Sequence, residues 1–395
     1  MKIGIISHSP LWTTGFGVTC NQLAQGLINS GHTVCCLAIG EGENVLEGHT
    51  FKIYQVDWPK AHSGLVALIN DERPDVILIN FDINATSYFI NFCKTAGWQG
   101  KVFAHIVMDG FPVYENLLHT MRGIDGIIVP TKKSKQYLKA NGIKKVYYAT
   151  HGVDRNEFIS LVNKKHIRSK LGIKKDLTRF FIIGVFAKNE ERKQLPKILL
   201  ALHHLVFKLK QKNILLYLHT QTKPAINKGW DLEFIVSHLN LNAHVIFTAK
   251  KFEQDRGIDK YSGFGSSSHD QKQLNYIERI NMCDLIVNIP FSGGFELCNI
   301  EAQACGVPLI TINDSGNIKE VVGESAVLIE PAMKSIWGNG AWICLINELE
   351  LADKILEIKN NDVLRQSVIE KGFANSKKFS WDKLIKLTHK IITEN

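Results

Sequence analysis

KIGIISHSPLWTTGFGVTCNQLAQGLINSGHTVCCLAI, residues 2–39, decides how the rest of the chain is read. Lys2 to Ser7 is a short apolar strand, TTGFGV is a glycine turn, and Leu23, Leu27 and Ile28 recur at helical spacing until Gly31 stops them before a second apolar strand. The same order of strand, turn, helix and strand begins again near Arg179 with RFFIIGVFA, a helical stretch from Leu195 to Leu209 and NILLYLHT. Two such units predict two α/β domains.

Further apolar runs follow each unit. In the first half they are DVILINF (75–81), KVFAHIVM (101–108), GIIVP (126–130) and KVYYAT (145–150); in the second they are AHVIFT, MCDLIVNIP, VPLIT and AVLIE, with a helix near residues 231–239. Near-continuous apolar strands are buried on both faces, which means parallel sheets covered by helices, so the fold class is two doubly wound parallel-sheet domains. The expected boundaries are residues 1–165 and 176–375, with a helix at about 376–395 packing back on the first domain. YSGFGSSSHDQ (261–271) reads as a mobile Gly/Ser-rich loop.

A chain of 395 residues exceeds one ordinary core, which agrees with two domains. No apolar run reaches the roughly 18 residues of a membrane span. The N-terminus turns polar too early for a secretion signal, and the eight cysteines form no C-x-x-C pair, so a cytoplasmic setting is expected. The net charge of +9 is local: residues 131–175 hold eleven lysines and two arginines against Asp154 and Glu157. That excess is read either as solvated helix and loop faces or as a surface for an anionic partner.

Ligands of doubly wound sheets bind at the carboxyl ends of strands, so two facing domains would bind across a cleft. In the first half this points to Thr13–Gly17, where Gly15 and Gly17 let backbone approach an anion at a helix start. In the second, AKNEERKQ places Lys188, Arg192 and Lys193 after a buried strand, a set of cations suited to a diphosphate. The richest segment is FSGGFELCNIEAQACGVPLITINDSGNIKEVVG, from Phe291 to Gly323. Its Gly293, Gly294, Phe295, Glu296 and Leu297 lead into a helix containing Glu301, a carboxylate among apolar residues that paired ribose hydroxyls would satisfy.

These motifs, in this order, resemble glycosyltransferase family 4, whose members are retaining enzymes of the two-Rossmann-domain (GT-B) fold. The resemblance runs through P-x-x-x-TGFG and GHTV, MDGFP, GIIVPTKKSKQYL, HGVD, KNEERK, LYLHT with GWDL, and GFELCNIEAQACGVP. It implies a nucleotide-sugar donor, UDP- or GDP-linked, held by the second domain, and transfer of a hexose to an acceptor hydroxyl. Gly17 would meet donor phosphate through its backbone, Lys188 and Lys193 would hold the diphosphate, and Glu301 would bind the ribose. Asp109, in MDGFP, stands where many relatives carry a histidine beside the transferred sugar, and is the candidate catalytic carboxylate; a turn-forming Asp-Gly pair is the other reading. His105 reads as a core histidine, His151 and Asp154 as shaping the crossing between domains, and Phe379–Trp381 as the return to the first domain. The sequence has no D-x-D triplet, so no metal and no cofactor are expected, the lysines acting in place of a divalent cation.

One position departs from that pattern. Relatives usually carry glutamate eight residues before Glu301 and glycine shortly after it, whereas here the two positions are Gly293 and Glu296. Glu296 reaching the same sugar hydroxyls, a different mode of sugar recognition, and lowered activity are three readings. The acceptor is a glycan, a small molecule or DNA; DNA would make the chain a phage-type base-modifying glucosyltransferase, favoured by the basic segment. The same motifs also fit a non-catalytic sugar-nucleotide binder and a sugar-nucleotide epimerase.

Overall fold

The computed structural model describes all residues except 41–43, 47–49, 172–175, 224–228, 249–273, 315 and 395. The Gly/Ser-rich stretch 261–271 therefore lies outside the described residues. The chain divides into two units: Met1–Gly152 with Gly338–Ala341 and Ser380–Asn395, and Val153–Trp337 with Trp342–Phe379.

The first unit is built on an eight-stranded sheet: β1 (Lys2–His8), β2 (Thr33–Ile39), β3 (Asn44–Leu46), β4 (Lys52–Val56), β5 (Val76–Asp82), β6 (Lys101–Val107), β7 (Gly126–Val129) and β8 (Val146–Tyr148). Its order is β3-β4-β2-β1-β5-β6-β7-β8, and every neighbouring pair is parallel except β3 with β4. The apolar runs of β1, β2, β5 and β6 are buried along their whole inner length, as strands covered on both faces must be. The final helix, Trp381–Glu394, belongs to this unit, and Ile385 lies against Gly26, where a Cβ would find no room.

The second unit repeats the plan with β9 (Phe181–Phe186), β10 (Ile214–His219), β11 (Val245–Phe247), β12 (Leu285–Asn288), β13 (Leu309–Ile312) and β14 (Val327–Ile329). All six are parallel, in the order β11-β10-β9-β12-β13-β14. The expected strands are present in both units. Sequence reading missed β3, β4 and an antiparallel hairpin, β15 (Met333–Ile336) with β16 (Trp342–Leu345).

Several polar rings are sealed into these cores. His105 on β6 is fully buried, with Nδ1 2.9 Å from Asn80 Oδ1 and its ring centroid 4.9 Å from that of His151. Burial pushes its pKa down to about 3, and burial together with the Arg279 charge does the same for His219 in the second unit. In the unfolded chain such rings titrate near 6.5, so the unfolded state takes up protons that the folded state refuses. The stability that these rings contribute should therefore be level above this value and fall as pH drops from there toward 3, by up to about 1.4 kcal/mol per pH unit for each ring. Thermal unfolding followed by calorimetry between about pH 7 and 5 should show this loss, with a shallower slope in His105→Gln.

Candidate functional site

In a doubly wound sheet the connections run one way on one side of a central point and the other way on the other, opening a crevice beyond the strand ends. In the second unit that point lies between β9 and β12. The loops leaving these two strands carry the cations at 188–193 and the segment 293–297, so topology alone makes them neighbours. A backbone hydrogen bond from Phe291 N to Arg192 O (2.7 Å) ties them directly. Gln194, with φ 50°, reinforces the tie: its Nε2 donates to Ile289 O (2.8 Å) and Cys344 O (3.2 Å), and its Oε1 accepts from Ile346 N.

The three cations do not stand alone. Lys188 Nζ lies 2.9 Å from Glu190 Oε1, and Arg192 Nε lies 3.2 Å from Glu190 Oε2. Arg192 Nη1 also reaches Glu296 Oε1 at 2.9 Å, while Lys193 Nζ is 2.5 Å from Glu296 Oε2. Asn288, the last residue of β12, donates from Nδ2 to the same Oε2 at 3.1 Å and to Asn299 Oδ1 at 2.8 Å. Burial alone would raise the carboxyl pKa of Glu296, but the charges of Lys193 and Arg192 outweigh it and hold it down to about 2. Glu190 is likewise held down to about 2 against its burial, by Arg192 and then Lys188. The Lys193 and Glu296 side chains are 7% and 6% exposed, so loss of one leaves the other buried and uncompensated, a cost of roughly 3–5 kcal/mol.

Glu296 sits with φ 63° and ψ 77°, the left-handed region in which glycine is favoured. Gly293, in contrast, has no positive φ; its need for glycine is spatial. A Cβ there would lie 2.7 Å from Glu296 Oε1 and 3.1 Å from Glu296 Cγ. Gly294 is buried, Phe295 turns its ring into the core edge-on to Phe379, and Leu297 packs on the same cluster as the first residue of the helix Leu297–Ala304.

Glu301 lies in the middle of that helix. Tyr276 donates from its hydroxyl to Glu301 Oε2 at 2.8 Å. Burial pushes the Glu301 carboxyl up to about 7; the Tyr276 hydrogen bond works against that rise and the Glu157 charge adds to it. Sequence reading did not find Tyr276, which is 25 positions away in a short helix, nor Glu190 and Asn288. The signals available were a glutamate inside KNEERK and a polar residue closing a buried strand.

The remaining candidates lie in the first unit. Its own switch point is between β1 and β5, and Gly15 opens the helix Gly15–Asn29 just beyond β1. Gly17 has its N–H on Thr14 Oγ1 (3.2 Å), and a Cβ on it would overlap the Trp12 carbonyl oxygen and lie 2.7 Å from Ser9 O. Asp109 follows β6 and is half-buried. In the basic stretch, Arg168 is buried, donating to Met282 O, Leu177 O and Phe180 O and pairing with Asp284 at 2.6 Å. Lys164 also pairs with Asp284, and Lys170 with Glu278, so part of the sequence-level charge excess is neutralised within the fold.

No protein-family model matches the chain. Over 114 residues it is 32% identical to an uncharacterized glycosyltransferase of Methanocaldococcus jannaschii, a match spanning 28% of either protein. Solved structures are similar over the full length. HepE from Anabaena in complex with UDP-glucose superposes with TM-score 0.71 at 15% identity, covering 100% of both chains. Sucrose-phosphate synthase from Thermosynechococcus elongatus superposes with TM-score 0.73 at 15% identity, over 100% of this chain and 98% of that one. The architecture is thus that of the GT-B structures, two Rossmann-like domains with parallel sheets.

Among the contacts described around Glu301, the Tyr276 hydrogen bond is the one that favours the ionised carboxylate, so Tyr276→Phe should move the Glu301 titration upward from about 7. Carboxyl-carbon NMR of the glutamate-labelled protein reads this, and an unchanged midpoint would show that Tyr276 does not act on the carboxylate.

Proposed function

We propose that this chain is a glycosyltransferase that moves a hexosyl group from a UDP- or GDP-linked donor to an acceptor hydroxyl, with retention of configuration and without a metal. The observation that carries this reading is the pairing of Arg192 and Lys193 with Glu296 of the Gly293–Glu301 segment, with Lys188 joined to Arg192 through Glu190, on the loops that leave adjacent strands at the switch point of the second sheet. A cationic cradle beside a buried carboxylate matches a ligand with a diphosphate next to a diol. The UDP-glucose bound to HepE and the partial match to an uncharacterized glycosyltransferase support the same ligand class.

In this reading Arg192 and Lys193, helped by the exposed Lys188, stabilise negative charge on the departing nucleoside diphosphate, where a charge-stabilising group lowers the barrier most. Glu301 accepts the ribose hydroxyls. Gly293, Gly294 and the backbone of Phe295 and Leu297 give the donor close approach. Asp109 contacts the transferred sugar. The ion pairs made by Arg168, Lys164 and Lys170 leave fewer of the basic segment's cations for DNA, and a glycan or small-molecule acceptor is the reading taken.

A panel of UDP- and GDP-sugars screened by thermal shift tests the donor, since a ligand of the native state raises the apparent unfolding temperature. Product analysis with the best donor then tests transfer. A donor-induced shift that Lys193→Ala leaves intact would refute the assignment of the cradle. The Glu301 carboxyl, near 7 when free, must be ionised to accept two hydroxyls. UDP-glucose, whose diphosphate does not titrate in this range, should therefore bind about tenfold tighter at about pH 8 than at pH 6, and Glu301→Gln should abolish that dependence in calorimetric titrations.

A further inference from the structure

The cradle holds three cations, Lys188, Arg192 and Lys193, and two of its partners are the carboxylates Glu190 and Glu296. Glu296 is the inner one. Both of its oxygens face cations, Oε1 toward Arg192 and Oε2 toward Lys193, as two phosphate oxygens would. Two features show that the loop is shaped around this carboxylate. The Glu296 backbone takes up a left-handed conformation costly for a residue with a Cβ, and Gly293 leaves empty the volume into which the carboxylate tucks, with Oε1 2.7 Å from where a Cβ would begin.

We propose that Glu296 is an internal counter-anion: it occupies the Arg192–Lys193 pair in the unliganded protein and is displaced when a diphosphate takes its place, so that it sets the affinity for the donor. The proposal rests on the nucleotide-sugar reading of the site and extends it to a named competitor within the chain. Displacement exchanges one anion for another on the same cations, so their buried charge is compensated before and after, and it frees the side chain of a residue whose backbone is strained. Affinity is then a difference between the diphosphate's and Glu296's interactions with the same two groups. An arrangement without Glu296 would bind diphosphates more tightly and release them more slowly.

The test is calorimetric titration of wild type, Glu296→Gln and Gly293→Ala with UDP and, separately, with inorganic pyrophosphate, each protein first shown to unfold cooperatively. Glu296→Gln keeps the side-chain shape and removes the charge, and both ligands should bind at least tenfold tighter. Gly293→Ala keeps the charge but presses on the carboxylate, and should change affinity in the same direction by a smaller factor; it carries the test if the first variant fails to fold. Unchanged or weaker binding in the variants, or no binding by any of the three proteins, overturns the proposal. In a parallel titration with UDP-glucose, a loss confined to that ligand, with UDP unaffected, also overturns it, because Glu296 would then contact sugar. If pyrophosphate binding rises while no protein binds UDP, the counter-anion stands and the nucleotide-sugar reading falls; if wild type binds UDP and Glu296→Gln binds it no better, the reverse holds.

Discussion

The buried contact of Glu296 with Lys193 and Arg192 is the constraint on which the second unit's candidate site depends. Glu296 and Lys193 are nearly withdrawn from water and Arg192 partly so, and removing any one leaves buried charge without its partner. The contact spans two loops that leave neighbouring strands, so it fixes their separation as well as their charge. Around it the backbone bond from Phe291 to Arg192 and the Gln194 side chain hold the same loops through neutral hydrogen bonds. Electrostatics and backbone pairing thus specify one geometry, and the parallel sheet beneath supplies a platform that side-chain rearrangement does not deform.

The platform was legible in the sequence because buried parallel strands leave a strong pattern. IGIIS, VILINF, FIIGVF and LIVN are apolar at nearly every position, which only strands covered on both faces require. What escaped lies at sheet margins. KIYQV (52–56) alternates with polar residues and is half-buried toward its end, and MKSI in β15 is mostly exposed, so neither produces an apolar run. Such strands are specified by partners distant in sequence rather than by their own composition.

The candidate site was legible as residue types and less so as contacts. Lys188, Arg192, Lys193 and Glu301 drew notice because charge beside buried strands is costly and calls for a reason. Their partners did not, since Tyr276 reaches Glu301 only through the fold, and Glu296 has the look of a carboxylate available to a ligand unless its ion pairs are known. The glycine at 293 was conspicuous as a missing acid. Its role in giving room to the residue three positions later is a matter of three-dimensional volume that no linear spacing displays.

The relation between Gly293 and Glu296 also bears on how such a site can change over generations. A larger residue at 293 is crowded by the carboxylate at 296, while glycine at both positions strips the inner cations of their partner. Neither single replacement is comfortable, so an acid at one position and an acid at the other are alternatives separated by a handicapped intermediate. The two positions are therefore coupled through one small volume and one pair of cations, and a replacement at either is felt at the other.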